Sequence, residues 1–277
     1  MPFDTVGGPI QECVLPLVTI VADEVYPVGT AFAIHPEGLL MTAAHVLKCA
    51  ASLARPAQGA DGTSYLHYEL NALYMSAQQS RTPSLFGGPL PVSKLWTSSE
   101  HDVAIAFARL PRNIETGEKL RLRVVRLRPR PPKVEDHIAA IGYRAMEASR
   151  IVEGCVTYKQ ETAISTASVT EVFDIVRDRC AANFPCFHVD ARFDRGMSGG
   201  PIFDEDGAVC GVVSRGMFPN LSLGASLWPA LGLKLEISVE DQPGTLTLYE
   251  LARRGMVEVD SSFESVWLTE DGIAIRY

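Results

Sequence analysis

The chain has 277 residues, 47% of them hydrophobic, with 22 glycines and 18 prolines, which suits one generous domain or two small ones built from short strands and turns. Its net charge of −8 argues against the basic surface that a nucleic-acid backbone needs, so no nucleic acid is expected as a partner. No internal repeat and no low-complexity stretch stands out.

The apolar run from Cys13 to Ala22 is too short to span a bilayer and closes on Asp23-Glu24. The first basic residue is Lys48, so the run lacks the positive flank of a signal peptide and reads as a buried strand, with no membrane partner expected. Without an export signal, the six cysteines (13, 49, 155, 180, 186 and 210) are read as reduced and the protein as cytoplasmic.

Residues 12–47 read as two or three strands, with turns at Tyr26-Pro27-Val28-Gly29 and His35-Pro36-Glu37-Gly38. Glycines and prolines break up residues 49–98, leaving strand candidates near 65–74 and 91–96. Residues 102–109 form a further strand, and the polar link Pro111 to Gly117 is the best domain boundary. From Lys119 to Lys133, basic residues alternate with apolar ones, which is one solvated face of a strand: an edge guarded by charge rather than a binding patch. Strands are expected at 135–143, 150–160, 170–177, 186–191, 200–203 and 207–215, with Asp204-Glu205-Asp206-Gly207 as the hairpin turn between the last two. Residues 246–256 carry an amphipathic helix pattern, with Leu248, Leu251 and Ala252 on one side. Many short strands and few helices place the chain in the all-β class, as a barrel or sandwich.

Three stretches carry chemistry. In Gly196-Met197-Ser198-Gly199-Gly200-Pro201, the glycines permit backbone angles that aim a serine hydroxyl and the neighbouring amides at one point. That arrangement suits acyl transfer, which needs a nucleophile with N–H donors placed where an oxyanion develops. Thr42-Ala43-Ala44-His45 sets a histidine among small residues just after a strand, and Asp102-Val103-Ala104-Ile105 sets a carboxylate at the mouth of an apolar one. A turn serine, a core histidine and a strand-edge aspartate are the ordinary readings of each stretch alone. Together, in the order His, Asp, Ser, they form a base, an orienting acid and a nucleophile. His101 points to the opposite face of its strand and is incidental. Cys180, Cys186 and His188 are too irregularly spaced to make a metal site, and no metal or cofactor is expected.

On these motifs the chain resembles the trypsin-like serine proteases, and more closely their bacterial Deg-type (HtrA-like) branch. Val189-Asp190-Ala191 followed by Arg195 to Pro201 is similar to that branch's serine motif. Ala140-Ile141-Gly142-Tyr143 is similar to the strand and turn before it, and Val213-Ser214-Arg215-Gly216 to the substrate-pairing strand. The likeness covers roughly residues 15–230. It implies two antiparallel six-stranded β-barrels of the chymotrypsin-like fold, at 10–115 and 116–230, with a short helix-containing extension at 231–277 that is too short for a PDZ domain. It implies a serine endopeptidase acting on a protein or peptide through an acyl-enzyme, with His45, Asp102 and Ser198 catalytic and the Gly196 and Ser198 amides as the oxyanion hole. Ser214, Arg215 and Gly216 would pair with substrate backbone. Arg192 falls at the base of the specificity pocket, where a buried guanidinium would favour an acidic residue; alternatively it turns to solvent or pairs with Asp194. Met197 replaces the aspartate that a freed N-terminus pairs with in secreted zymogens, so regulation would come from loop ordering or a partner protein. The rival reading is a catalytically silent protease fold used as a binding or sensor module.

Overall fold

A computed structural model describes residues 10–58, 64–78, 84–113, 116–152, 155–156, 159–175, 177, 182–218, 220–239, 242–269 and 272–276. The apolar run near the N-terminus forms strand β1 (Val14–Val21), almost wholly buried. It turns at Ala22 into the long β2 (Glu24–His35), and Gly38 then leads into β3 (Leu39–Thr42). The first half continues with β4 (Glu69–Gln78), β5 (Ser84–Thr97) and β6 (Ala104–Ala108). These six strands close on themselves in the order β1-β2-β3-β6-β5-β4, every pairing antiparallel.

The second half repeats that order. Strands β7 (His137–Arg144), β8 (Glu161–Phe173), β9 (Cys186–Val189), β10 (Pro201–Phe203), β11 (Val209–Phe218) and β12 (Leu221–Ser226) form a closed barrel, β7-β8-β9-β12-β11-β10. The fold is thus two six-stranded antiparallel barrels of the chymotrypsin-like class. Closure joins the edges of each barrel, and a short hairpin of Ser149–Val152 and Cys155–Val156 branches from the start of β2. Leu15, Leu17, Phe32, Leu40, Met41 and Ile105 fill the first barrel; Ile138, Phe187, Val189, Ile202 and Val213 fill the second.

Four elements differ from the sequence-based expectation. Helix α1 (Ala44–Ser52) follows β3 directly, burying Ala44, Leu47 and Ala50 against Leu70 and Ala104, and Val46 in the main core. Its short apolar stretch has no periodicity distinct from the strand before it. The strand expected at 150–160 is present as the short strands Ser149–Val152 and Cys155–Val156, whereas β8 spans 161–173 rather than 170–177, because Ser, Thr and Glu occupy its exposed face and hide it from a hydrophobicity reading. Cys180 and part of that region lie outside the described residues.

Residues 119–130 keep the alternation but join no sheet ladder. Leu122, Val125 and Leu127 are buried while Arg121, Arg123 and Arg126 are exposed. This extended link bonds residue by residue to whatever it crosses: Leu122 N–H to the Pro36 carbonyl, Val125 N–H to that of Ala33, and Leu127 bridging to Val209 and Val259. The last contact ties in the C-terminal segment. A hairpin (Lys234–Val239 with Gln242–Thr247) leads into α2 (Leu248–Arg253), shorter than the 246–256 pattern because Thr247 caps it in a reciprocal box with Glu250. Leu235, Leu248, Leu251 and Val257 share the first barrel's apolar cluster, so the extension is part of the core.

Candidate active site

The register of β3 against β6 decides where the base and acid meet. Thr42 lies opposite Ala104, so the residues just beyond them, His45 and Asp102, are brought together although 57 positions apart. His45 sits in the first turn of α1, and its own N–H donates to Asp102 Oδ1 at 2.9 Å. Its Nδ1 is 2.8 Å from Asp102 Oδ2. Ser214 Oγ donates to the same Oδ2 at 2.6 Å from β11 of the other barrel, and Ser214 is fully buried. An ionised carboxylate only accepts, so Nδ1 carries the proton and Nε2 presents its lone pair outward.

Asp102 is 6% exposed. Burial pushes its carboxyl up, but the hydrogen bond and charge of His45, then the Ser214 hydroxyl, outweigh it and hold it below the usual carboxylate range. The neighbouring His101 faces away: its Nδ1 accepts from Val103 N–H at 3.3 Å, and burial holds its imidazole below the ordinary value.

Ser198 lies in the β9–β10 connection. Gly199 N–H donates to the Val213 carbonyl and Val213 N–H to that of Gly200, both at 2.8 Å, which sets Ser198 beside Ser214. Ser198 Oγ donates to the Ser214 carbonyl at 3.1 Å, not to His45. His45, Ser198 and Ser214 line one hollow of about 510 Å³, with Arg192, Asp194, Arg195, Arg215 and Gly216 around it. Arg192 does not form a buried pocket base. Its side chain is 71% exposed, with Nε 3.7 Å from Asp194 Oδ1.

The serine loop holds a shape that only glycine fits. Gly196 has φ +101°, and a Cβ there would lie 2.6 Å from the Tyr143 carbonyl oxygen. Its carbonyl accepts from Thr30 Oγ1 at 2.8 Å, and the Ser198 carbonyl accepts from Thr30 N–H at 2.8 Å. Thr30 is itself fixed: its hydroxyl accepts from Tyr143 N–H at 3.2 Å and its carbonyl accepts from Thr42 Oγ1 at 2.7 Å. The Met197 carbonyl is taken by Gly200 N–H, so in a planar trans peptide the Ser198 N–H points the opposite way. Among the described residues neither the Gly196 nor the Ser198 N–H has a hydrogen-bond partner. Thr30 carries no motif and was not legible as a site residue. Ser214 was expected only to pair with substrate, yet its hydroxyl also grips the acid.

The family model of the trypsin-like peptidase domain matches residues 29–212, two thirds of the chain and all three motifs. The chain belongs to that family. Among solved structures, this trypsin-like peptidase is similar to the MamO protease domain from Magnetospirillum magneticum in its apo form, at 15% identity and TM-score 0.47, covering 78% of this chain and 92% of that one. It is also similar to the Rv3671c protease from M. tuberculosis in its active form, at 20% identity and TM-score 0.46, covering 78% and 75%. No curated protein matches the sequence.

Among the described residues, no group of three or more His, Cys, Asp or Glu side chains is placed to hold a metal ion. No described helix is long and apolar enough to cross a membrane. Cys13, Cys49 and Cys210 are free thiols; burial pushes the Cys13 thiol up to about 11 and raises that of Cys210 as well, so both stay protonated and unreactive.

Proposed function

We propose that this peptidase is a serine endopeptidase that cleaves protein or peptide substrates through an acyl-enzyme. The observation that carries the reading is the His45 imidazole with Asp102 at Nδ1 and Nε2 turned to the hollow that Ser198 lines. Substrate backbone pairing along Ser214 to Gly216 competes for the Ser214 carbonyl, and the Ser198 hydroxyl, released from it, turns to His45 Nε2. Nε2 takes the proton as Oγ attacks the scissile carbonyl, and the Asp102 carboxylate stabilises the imidazolium. The free amides of Gly196 and Ser198 receive the oxyanion. His45 then returns the proton to the leaving amine, and a water repeats the cycle on the acyl-serine.

The bond from Ser198 to the Ser214 carbonyl, with none to His45, also fits a silent module whose serine is never activated. A fluorophosphonate probe separates the two readings. Covalent label on the wild type and none on Ser198→Ala supports the enzyme; an unlabelled wild type that still binds peptide supports the module.

A further inference from the structure

Several arginines elsewhere in this acidic chain pair with carboxylates: Arg123 with Glu12 at 2.8 Å, Arg128 with Asp204 at 2.8 Å, Arg150 with Glu24 at 3.1 Å. The hollow beside Ser198 gathers three arginines around a single carboxylate. Arg192, Arg195 and Arg215 all line it and all are exposed. The one carboxylate in its lining, Asp194, is already shared by two guanidinium groups, Arg144 Nη1 at 3.3 Å and Arg192 Nε at 3.7 Å. Among the described residues, Arg195 and Arg215 make no ion pair. The rim therefore carries net positive charge on a protein whose net charge is −8.

The placement of these groups follows from the backbone. Ser214 turns its hydroxyl inward to Asp102, and Arg215, just past a register shift in β11, lines the hollow. Arg195 precedes the oxyanion glycine and lines a second hollow of about 610 Å³ on the far side, with Tyr26, Val28, Leu53 and Met146. No carboxylate lines that second hollow among the described residues. Arg195 and Arg215 thus line the hollow that holds Ser198, each without an ion-pair partner among the described residues.

We propose that this peptidase selects anionic peptides, with Asp or Glu side chains on residues flanking the cleaved bond, through Arg215 and Arg195, with Arg192 contributing. The inference rests on the serine-endopeptidase reading and names its substrate class. A guanidinium matches a carboxylate in a bidentate fork, and a cleft lined by one sign of charge concentrates ligands of the other. Because the rim is solvated, each arginine is worth about two- to fivefold in affinity. The selectivity is the sum of several modest contacts, and salt weakens it.

The test uses the full chain as Ser198→Ala, which binds without turnover, and fluorescence anisotropy with three labelled peptides of one length. One peptide carries Glu on both sides of the central bond, one carries Gln at those positions, and one carries Lys. Glu should bind best and Lys worst, with the gap closing as salt is raised. Arg215→Glu and Arg195→Glu should each narrow the Glu-over-Gln preference about two- to fivefold, and Arg215→Gln, which adds no new charge, should do so less. Equal binding of the Glu and Gln peptides at low salt, or no binding of any peptide, overturns the proposal. Probe labelling of the wild type with no Glu preference sinks this inference and leaves the enzyme standing. A Glu preference with an unlabelled wild type does the reverse, leaving an anionic-peptide surface without catalysis.

Discussion

The two barrels share one strand order, and His45 and Ser198 occupy the same topological connection in each, β3 to β4 in the first and β9 to β10 in the second. They are held quite differently. The His45 side is fixed by hydrogen bonds to a buried carboxylate: two from His45 itself and one from Ser214. The Ser198 side is fixed by backbone shape, with a left-handed glycine at 196 and a threonine reaching across from the other barrel. Charge sets the base, whereas steric exclusion sets the nucleophile's surroundings. Substitutions on the two sides should therefore fail in different ways.

The largest effects are expected at the groups proposed to react. Ser198→Ala should abolish probe labelling. Asp102→Asn should lower kcat about ten-thousandfold by leaving His45 in the wrong tautomer, while circular dichroism stays unchanged. Retention of more than a tenth of the activity by Asp102→Asn would show that the carboxylate does not orient the base.

Gly196→Ala acts through shape alone. The new Cβ would meet the Tyr143 carbonyl at 2.6 Å in a backbone region that alanine resists, so the loop must turn its amide away. The expected loss is about a hundred- to a thousandfold in kcat, the value of one oxyanion donor, with KM little changed. A rise in KM at constant kcat would place the glycine in binding instead.

Thr30 tests the contact between barrels. Thr30→Val keeps the shape but removes the hydroxyl bonded to the Gly196 carbonyl and the Tyr143 N–H. The loss should be smaller, about 1–3 kcal/mol for the partners left unpaired, read as a drop in kcat and in melting temperature together. Thr30→Ser should restore both. If Thr30→Val melts early yet turns over normally, the residue serves stability only.

These contrasts also explain what the sequence disclosed. A glycine loop, a histidine among alanines and an aspartate before an apolar strand are local patterns, so the candidate residues His45, Asp102 and Ser198 could be picked out without coordinates. Thr30 and the inward hydroxyl of Ser214 act at a distance of many residues, through backbone atoms that no side-chain pattern encodes. The same holds for the fold. The apolar run of β1 shows itself, whereas β8 hides behind polar residues because a closed barrel wets its outer face. The two barrels repeat their strand order with no matching repeat in sequence. Barrel closure constrains the ladder pairing, while the residues that fill each interior are free to differ.

The smallest effect separates His101 from its neighbour Asp102. His101 is buried neutral with its imidazole below the ordinary value, so the unfolded chain takes up a proton first. Between the two values the unfolded state binds more protons, and stability is lost as pH falls below about 6.5. Burial depresses His35 and His188 in the same direction, so His101 accounts for part of this upper limb. Asp102 acts later. Its contribution is present above about 3.9, the unfolded value, and vanishes as pH falls through the lower folded one. Urea midpoints measured from pH 7 down to about pH 3 should thus show two limbs. His101→Asn, able to accept from Val103 N–H as the imidazole does, should flatten the upper limb only, and Asp102→Asn the lower only. An upper limb unchanged in His101→Asn would assign the acid sensitivity of this half to His35 and His188 instead.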